Sequence, residues 1–562
     1  MTRPAPGSAA PAGPGAAGDV APAGPPAPAR WASWAAGRWG AAAGSALLAI
    51  GLFAAFIRLS DTYPVNSDGA NIVLMAWDML HGNLLLHGWD MSDVSFWTTE
   101  LPQYMLVGWV RGLGPDVPHI AAAMTYTLAL VLAVLLARGA RPSGAGPRER
   151  LARSLLPAGI MLAPQLGAGV FVLLLSVGHI GTAVPMLVTW LVLDRAPARW
   201  YRPVLAGVLL VWAVIADPLV LVVGIGPLAV VAAVRAVRAR RTRSGPGAIG
   251  PELALAGAAL AAGGIAAGAP AAIKALGGYT VHTIPFHIVT WSALGAHART
   301  TGLSLLTVFG AGFQGTAAGA PVVFAALHLV SLVVVAAALA VVLARFGARD
   351  LIDQVLAVAI LANLAFYLAS SFSSGVLNSR EIAAVLPFGA ALAGRTLGPW
   401  LARPRSWVAP ALLTVLAGYA AALGYQLTQP PAPPANARLA SWLASHHLTH
   451  GLSGYWQAGS VTLDSAGHKG GSEVTIRPLV DHFGGLVPYQ WEASRSWFGG
   501  RSHDANFIVL DQQPGYFSYW SPAREVRTVF GPPATTYRTG PYTIMVWHQN
   551  LLATLHHWQS SH

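Results

Sequence analysis

The sequence predicts an all-α polytopic membrane protein with a small mixed α/β domain at its C-terminal end. Of the 562 residues, 54% are hydrophobic and only 10% are charged, whereas a soluble domain carries about a quarter charged residues. Long apolar runs recur along the chain, and about 20 apolar residues cross roughly 30 Å of hydrocarbon. The last part of the chain lacks such runs and is rich in aromatic, glycine and polar residues.

Residues 1–38 are predicted to form a disordered cytoplasmic tail. They are rich in proline, alanine and glycine, and such a composition does not bury a hydrophobic core. Prolines interrupt its apolar stretches, so the segment does not resemble a cleavable signal peptide. The first span, at about 41–59, is expected to anchor the chain in the membrane.

The membrane domain, residues 39–426, is predicted to contain about eleven transmembrane helices. An odd number of spans places the N-terminus in the cytoplasm and the C-terminus outside. The arginine clusters between spans then lie on the cytoplasmic side, as the positive-inside rule expects. The predicted spans are 41–59, 117–137, 154–175, 179–194, 203–216, 218–235, 252–275, 321–344, 351–371, 381–398 and 406–426.

The net charge of +12 does not indicate nucleic-acid binding, because the arginines are concentrated in short loops between spans. Membrane lipid is the expected surrounding, and the cytoplasmic membrane is the expected location. The chain has no cysteine, which excludes disulfides, thiolate metal sites and cysteine nucleophiles. Its histidines do not follow a metal-ligand spacing, so no residue is assigned to a metal.

Three regions are predicted to lie outside the membrane: the loops 60–116 and 276–320, and the C-terminal domain 427–562. This domain begins with a proline-rich spacer that is expected to be semi-rigid. Short stretches of alternating apolar residues then predict strands separated by glycine and proline turns. These stretches are 473–477, 506–510 and 542–547.

Asp68 is the main candidate for chemistry in the first outer loop. It lies in a polar stretch directly after the first span, and apolar residues at helical spacing follow within 72–81. A carboxylate at this level of the membrane can deprotonate or orient an acceptor hydroxyl, or bind a divalent cation. Alternatively, Ser67 or Asp68 caps the helix by accepting a backbone hydrogen bond, and the two roles are compatible.

Several motifs follow one another in a recognisable order. They are Asp68 after the first span, a helix that ends at Leu80-His81-Gly82, a helix led by Pro102, and the late segment 378–388, which contains Arg380. This order resembles the GT-C superfamily of membrane glycosyltransferases, which includes the protein O-mannosyltransferase-like and aminoarabinose transferase-like enzymes. The resemblance covers residues 41–426 at the level of architecture.

The resemblance implies an inverting glycosyltransferase that uses a polyprenyl-phosphate-linked sugar as donor on the outer face of the membrane. The acceptor, whether glycan, lipid or protein, stays open. Asp68 would be the catalytic base, and Arg380 would contact the carrier phosphate. Many members of the superfamily carry two adjacent acids where this chain has Asp68-Gly69, which leaves both a divalent cation and catalytic activity open.

Five residues are candidate substrate ligands, because charged side chains are scarce on the predicted outer side. Arg380 and Lys274 are candidates for binding phosphate, and arginine offers bidentate geometry. Asp90, Asp93 and Glu100 are candidates for a second carboxylate from the first outer loop. The alternatives are interface anchoring for the cations and solvated loop charge for the acids.

Two other functions stay open at the level of sequence. A non-catalytic relative of these transferases is plausible because the second acid is missing. A transporter or lipid flippase would usually show repeat symmetry or charged spans near the midplane, and neither feature is clear in this chain.

Overall fold

The computed structural model describes most of the chain, and its first helix begins earlier than expected. Helix α1 begins at Ala27, so residues 27–38, predicted as part of the tail, are helical. Alanine is the commonest residue of this first half of α1 and is also the strongest helix former. Residues 1–26 of the predicted tail lie outside the described residues. The described ranges are 27–140, 146–175, 178–197, 199–242, 246–403, 407–467, 471–482, 485–499, 504–512 and 523–561.

Helices dominate the described chain, because a segment in lipid must satisfy its backbone hydrogen bonds internally. A π-helical turn, Leu221–Ile225, leads into α9, and a 3-10 turn, Val376–Ile382, precedes α14. The α-helices are α1 (Ala27–Ser60), α2 (Ser67–Leu80), α3 (Glu100–Arg111), α4 (Val117–Arg138), α5 (Pro147–Ile160), α6 (Ala168–Leu174), α7 (Ile180–Arg195), α8 (Tyr201–Ala216), α9 (Gly226–Arg241), α10 (Pro246–Ala275), α11 (Leu294–Val308), α12 (Ala320–Ala344), α13 (Leu351–Ala369), α14 (Val385–Leu401), α15 (Val408–Leu427), α16 (Ala437–Ser445), α17 (Tyr455–Asp464), α18 (Ala523–Phe530) and α19 (Leu551–Ser561).

Seven helical segments among the described residues are long and apolar enough to cross a membrane. An eighth candidate is the 3-10 turn together with α14, which are bent by 52° relative to each other. The membrane-protein class is therefore confirmed, whereas the predicted number of eleven spans is not. The seven segments are Ala42–Ser60, Val117–Arg138, Leu221–Arg241, Ile249–Ala275, Ala320–Ala344, Leu351–Ala369 and Val408–Leu427.

The difference in span number comes mainly from short helices. The predicted span 154–175 is divided into α5 and α6, which have 14 and 7 residues. Pro164 and Gly167, the latter with φ of +74°, lie in the break, and both residue types interrupt helices. Helices α7 and α8 have 16 residues each, fewer than the roughly 20 that a perpendicular span needs.

The strands lie in the first two outer loops and in the C-terminal domain. The predicted strands at 473–477, 506–510 and 542–547 overlap β6, β9 and β11. The strands are β1 (Trp89–Met91), β2 (Thr280–Val281), β3 (His450–Ser453), β4 (Ala466–Gly467), β5 (Gly471–Ser472), β6 (Thr475–His482), β7 (Gly485–Pro488), β8 (Ala493–Ser494), β9 (Phe507–Asp511), β10 (Thr535–Thr539) and β11 (Tyr542–Val546).

The described part of the C-terminal domain contains a mixed six-stranded sheet with the order β10-β11-β9-β3-β6-β7. Strand β3 is parallel to both β6 and β9, and the other pairs are antiparallel. Successive residues of β9 alternate between the faces: Phe507 and Val509 pack with α16 and α17, and Ile508 and Leu510 pack with α18 and α19. The prediction of a small mixed α/β domain is confirmed.

The C-terminal domain is joined to both outer loops by backbone pairing. Strand β1 of the first loop pairs in parallel with β2 of the second loop and antiparallel with β8 of the C-terminal domain. Helix α17 packs directly on α2, and Gly459 approaches Asn71 so closely that a side chain at this position would clash. These contacts bring C-terminal residues beside the first turn of α2.

Candidate active site

Asp68 lies in the first turn of α2 but does not cap the helix. The N-cap is Asn66, whose side chain accepts a hydrogen bond from the backbone N–H of Gly69 at 3.1 Å. The prediction that Ser67 or Asp68 fills this role was therefore wrong by one or two positions. Asparagine is as good a cap as aspartate or serine, and its use here leaves the Asp68 carboxylate available for other contacts.

Tyr455, from the first turn of α17, connects Asp68 to the buried Glu492. Its hydroxyl lies 2.7 Å from Oδ1 of Asp68 and 2.9 Å from Oε2 of Glu492. Burial and the nearby charge of Asp68 raise the pKa of Glu492 well above its ordinary value, and burial likewise raises the pKa of Tyr455. A phenol has one hydrogen, so Tyr455 donates to one of the two carboxyl groups at a time and bridges Asp68 and Glu492.

Arg380 lies in the 3-10 turn that precedes α14, far from Asp68 in the sequence. It is within electrostatic range of four carboxylates, those of Glu381, Asp68, Asp93 and Glu492. Its side chain is 36% exposed. The fold thus brings Asp68 and Arg380 into one charged cluster.

His179, the residue before α7, extends this cluster into the membrane domain. Its Nδ1 lies 2.6 Å from Oδ2 of Asp217, and its Nε2 lies 2.8 Å from Oε2 of Glu381. The hydroxyl of Thr182 and the backbone N–H of Leu219 also donate to Asp217. We call the full set the outer cluster; it comprises Asp68, Asp93, His179, Asp217, Arg380, Glu381, Tyr455 and Glu492.

A cavity of about 470 Å³ opens beside the outer cluster. Its charged or titratable lining includes Asp93, His179, Asp217 and Glu381, and much of the rest is apolar. Burial raises the pKa of Asp93, although the nearby His179 opposes this effect. Asp68 and Arg380 are not among the described lining residues. The apolar part of the lining includes Phe286, Phe366 and Phe372.

Asp90, predicted as a substrate ligand, is held in a structural contact. Arg495 binds its carboxylate in a bidentate manner, with N–O distances of 2.9 and 2.7 Å, and the hydroxyl of Thr280 also donates to it. Asp90 and Thr280 lie in β1 and β2 of the sheet that joins both outer loops to the C-terminal domain, and Arg495 directly follows its strand β8. The carboxylate is buried with both oxygens engaged, which leaves it poorly placed to bind a substrate.

Glu100 and Lys274 have different surroundings. Glu100 is buried against Gly181, and burial raises its pKa to about 7. The hydroxyl of Thr99 donates to one carboxyl oxygen, and the other has no hydrogen-bond partner among the described residues. Lys274 is exposed in the last turn of α10. The substrate-binding roles of both residues stay predictions.

Five members of the outer cluster were not among the predicted site residues: His179, Asp217, Glu381, Tyr455 and Glu492. Asp217 falls between the predicted spans 203–216 and 218–235, where an acid at membrane depth is by itself a functional signal. His179 stands at the predicted start of a span, without a recognisable motif. Tyr455 and Glu492 belong to the C-terminal domain, and no spacing in the sequence relates them to Asp68.

The described residues contain no group of three histidine, aspartate or glutamate side chains close enough to hold a metal ion. The divalent cation that the sequence left open therefore has no recognisable ligand set among them.

The chain was compared with known proteins. No protein-family model matches it, and no curated protein does. One similar solved structure is ArnT from Cupriavidus metallidurans bound to undecaprenyl phosphate, with 14% identity and a TM-score of 0.49 over 89% of this chain and 98% of that chain. Another is the apo oligosaccharyltransferase of Archaeoglobus fulgidus, with 13% identity and a TM-score of 0.42 over 82% and 69% of the two chains.

Proposed function

We propose that the protein is a membrane glycosyltransferase that moves a sugar from a polyprenyl-phosphate-linked donor to an acceptor hydroxyl. The observation that carries this proposal is the proximity of Asp68 and Arg380 in the folded protein. In the sequence, these two residues lie near opposite ends of the membrane domain. A carboxylate that accepts a proton and a guanidinium that binds a phosphate are the two groups such a transfer requires.

In the proposed reaction, Asp68 takes the proton of the acceptor hydroxyl as its oxygen attacks the anomeric carbon of the sugar. The bond between this carbon and the phosphate oxygen breaks, and its electron pair leaves with the polyprenyl phosphate. Arg380 stabilises the charge that develops on the departing phosphate. Attack on the face opposite to the leaving group inverts the anomeric configuration.

The neighbours of these two residues support the assigned roles. The hydrogen bond from Tyr455 orients the Asp68 carboxylate. One carboxyl oxygen of Glu381 approaches Arg380, and the other approaches the buried His179. His179 in turn contacts Asp217, so Glu381 connects Arg380 to both residues. The apolar part of the adjacent cavity suits the lipid portion of the donor.

Substitution Asp68→Asn tests the proposal, because asparagine keeps the shape of the side chain and removes its basicity. The measurement follows labelled sugar as it moves from the polyprenyl-phosphate donor to acceptors in the membrane fraction. We expect its rate to fall by about 10²–10⁴-fold, the usual contribution of a general base. Thermal stability in detergent should change little. The matched control is Asp116→Asn, because Asp116 forms an exposed pair with Arg111, and such pairs contribute little.

Other results would identify the two competing functions. Transfer that survives Asp68→Asn at full rate would exclude the proposed base. If the wild-type protein supports no transfer from any of a panel of polyprenyl-phosphate-linked sugars, it is a non-catalytic relative. Solute flux that depends on an ion gradient, and not on a lipid-linked donor, would identify a transporter.

A further inference from the structure

A second cavity, of about 490 Å³, borders the same 3-10 turn that carries Arg380. It is enclosed by α6, α11, α12 and α15 together with the loop 309–319. Its residues do not overlap with those of the outer cluster. We call it the neutral cavity; its polar lining consists of Gln165, Thr307, Gln314, Thr316, His328, Tyr425, Gln426 and Gln429.

His328 of α12 is the most informative residue of the neutral cavity. Its side chain is 2% exposed, and neither ring nitrogen has a hydrogen-bond partner among the described residues. The ring stacks on Tyr419 at a centroid distance of 4.9 Å, and Gly310, with φ of +78°, packs against it. A buried polar group without a partner costs about 1–3 kcal/mol, so a ligand that satisfies this imidazole would recover stability.

Gln426 of α15 presents a second unsatisfied group to the same cavity. It is 4% exposed, and its Oε1 has no hydrogen-bond partner among the described residues. Gln165 shows the contrast, because both ends of its amide are bonded to the backbone of Gly312. One glutamine therefore stabilises the wall of the cavity, whereas Gln426 and His328 are left with unused hydrogen-bonding capacity.

The composition of the lining restricts the chemistry of the ligand. The described lining contains no aspartate, glutamate, lysine or arginine, so a phosphate or a carboxylate would be desolvated there without a counter-charge. A neutral imidazole offers one donor and one acceptor, and Oε1 of Gln426 offers an acceptor. Sugar hydroxyls both donate and accept and match this set. The apolar lining includes Leu303, Leu306, Phe313, Pro321 and Phe324.

We infer that the neutral cavity binds an uncharged, hydroxyl-bearing head group attached to an apolar chain, as in a glycolipid. His328 and Gln426 bind the hydroxyls, and the aromatic and aliphatic residues contact the chain. The volume is within the range of about 300–1,000 Å³ that is usual for small-molecule sites. This site does not depend on the transfer reaction proposed above and does not share its charged residues.

Photocrosslinking to the full chain in nanodiscs tests the inference. The probe is octyl β-D-glucoside with a diazirine in its alkyl chain, used below its micellar concentration, and crosslinked peptides are identified by mass spectrometry. We expect labelling of α12 and α15, competed by unmodified octyl glucoside. His328→Phe and Gln426→Leu should each weaken labelling by about tenfold, which corresponds to about 1.4 kcal/mol for the lost hydrogen bonds. His446→Phe, in the C-terminal domain, is the control.

The competitors and the stability of the variants make the outcome decisive. Competition by octyl glucoside but not by free glucose supports a head group with an attached chain, and equal competition by glucose overturns that part of the inference. Competition by octyl phosphate would overturn the neutral character of the site, and labelling unaffected by both substitutions would overturn the site itself. Both variants remove an unsatisfied buried group, so neither should lower the melting temperature measured without ligand.

Discussion

The protein has two clusters of charged side chains, one within the membrane domain and one that also includes residues of the C-terminal domain, and their difference separates a structural role from a chemical one. The inner cluster is built on Arg395, whose guanidinium lies 3.0 Å from Asp194, 2.8 Å from Asp350 and 2.7 Å from Asp353. Arg395 also donates to the carbonyl oxygen of Leu136 and is only 6% exposed. Its contacts join α4, α7, α13 and α14.

The outer cluster contains the same residue types in a different arrangement. Among the described residues, Arg380 lacks such a set of direct contacts, and its ion pair with Glu381 has an N–O distance of 3.8 Å. Carboxylates outnumber the cations around it. Several of the acids line a cavity, and burial raises the pKa of Asp93 and Glu492. Saturated pairing is expected of a structural network, whereas unbalanced charge beside a cavity is expected of a functional site.

The largest effect is expected from breaking the inner cluster. Arg395→Met leaves Asp194 buried without its ion-pair partner and leaves Asp353 with only the more distant Arg349, at 3.8 Å. The loss of one member of a buried ion network costs about 3–5 kcal/mol. We expect poor expression and a much lower melting temperature in detergent. A variant with wild-type stability would show that the inner cluster does not hold these helices together.

Arg380→Met should have the opposite profile, with a large effect on transfer and a small one on stability. Loss of a group that stabilises developing charge typically costs about 10²–10³-fold in rate. The measurement is sugar transfer from the polyprenyl-phosphate donor alongside the melting temperature. Arg380→Lys should retain part of the activity, because the charge remains while the bidentate geometry is lost. Equal destabilisation by Arg380→Met and Arg395→Met would remove the distinction between the clusters.

Glu100, which lies within electrostatic range of His179 and Asp217, should make stability depend on pH. Its pKa is raised by burial from 4.5 to about 7, so the folded state binds a proton that the unfolded state releases. The free energy of unfolding should therefore fall as pH rises from about 4.5 to about 7, by on the order of 3 kcal/mol.

Glu100→Gln should remove this part of the pH dependence, because an amide does not titrate. Melting temperatures of wild type and variant, measured at intervals between pH 4.5 and 8, provide the test. Curves that stay parallel over this range would show that Glu100 does not carry the effect.

Among the substitutions of Arg395, Arg380, Glu100 and Tyr455, Tyr455→Phe should have the smallest effect. It should act on the outer cluster alone. It removes the hydrogen bond to Asp68, and a bond to a charged group contributes about 1.5–3 kcal/mol. We expect transfer to fall by roughly 10–100-fold. Tyr542→Phe is the matched control, because Tyr542 donates to Asn436 at 2.8 Å, within the C-terminal domain, and its loss should leave transfer unchanged. Equal losses for both variants would indicate a general defect of the domain.

A feature could be predicted from the sequence when the residues that determine it lie close together in the chain. The apolar runs predicted the long helices such as α4 and α12, because hydropathy over one segment determines whether that segment enters lipid. The strands β6, β9 and β11 were also predictable, since alternation along one strand is a local pattern. The short helices α5 and α6 were merged, because the whole interval is apolar and the break depends on two residues.

For the site, the sequence by itself determined the polar stretch around Asp68 and the scarcity of other charges on the predicted outer side. Only the tertiary structure decided which residues surround Asp68, since Tyr455 and Glu492 reach it through the packing of α17 on α2 and the pairing of β1 with β8. The tertiary structure also decided that the guanidinium of Arg495 binds the carboxylate of Asp90. Hydropathy acts within a segment, whereas hydrogen bonds and ion pairs join whichever side chains the packing of distant segments brings together.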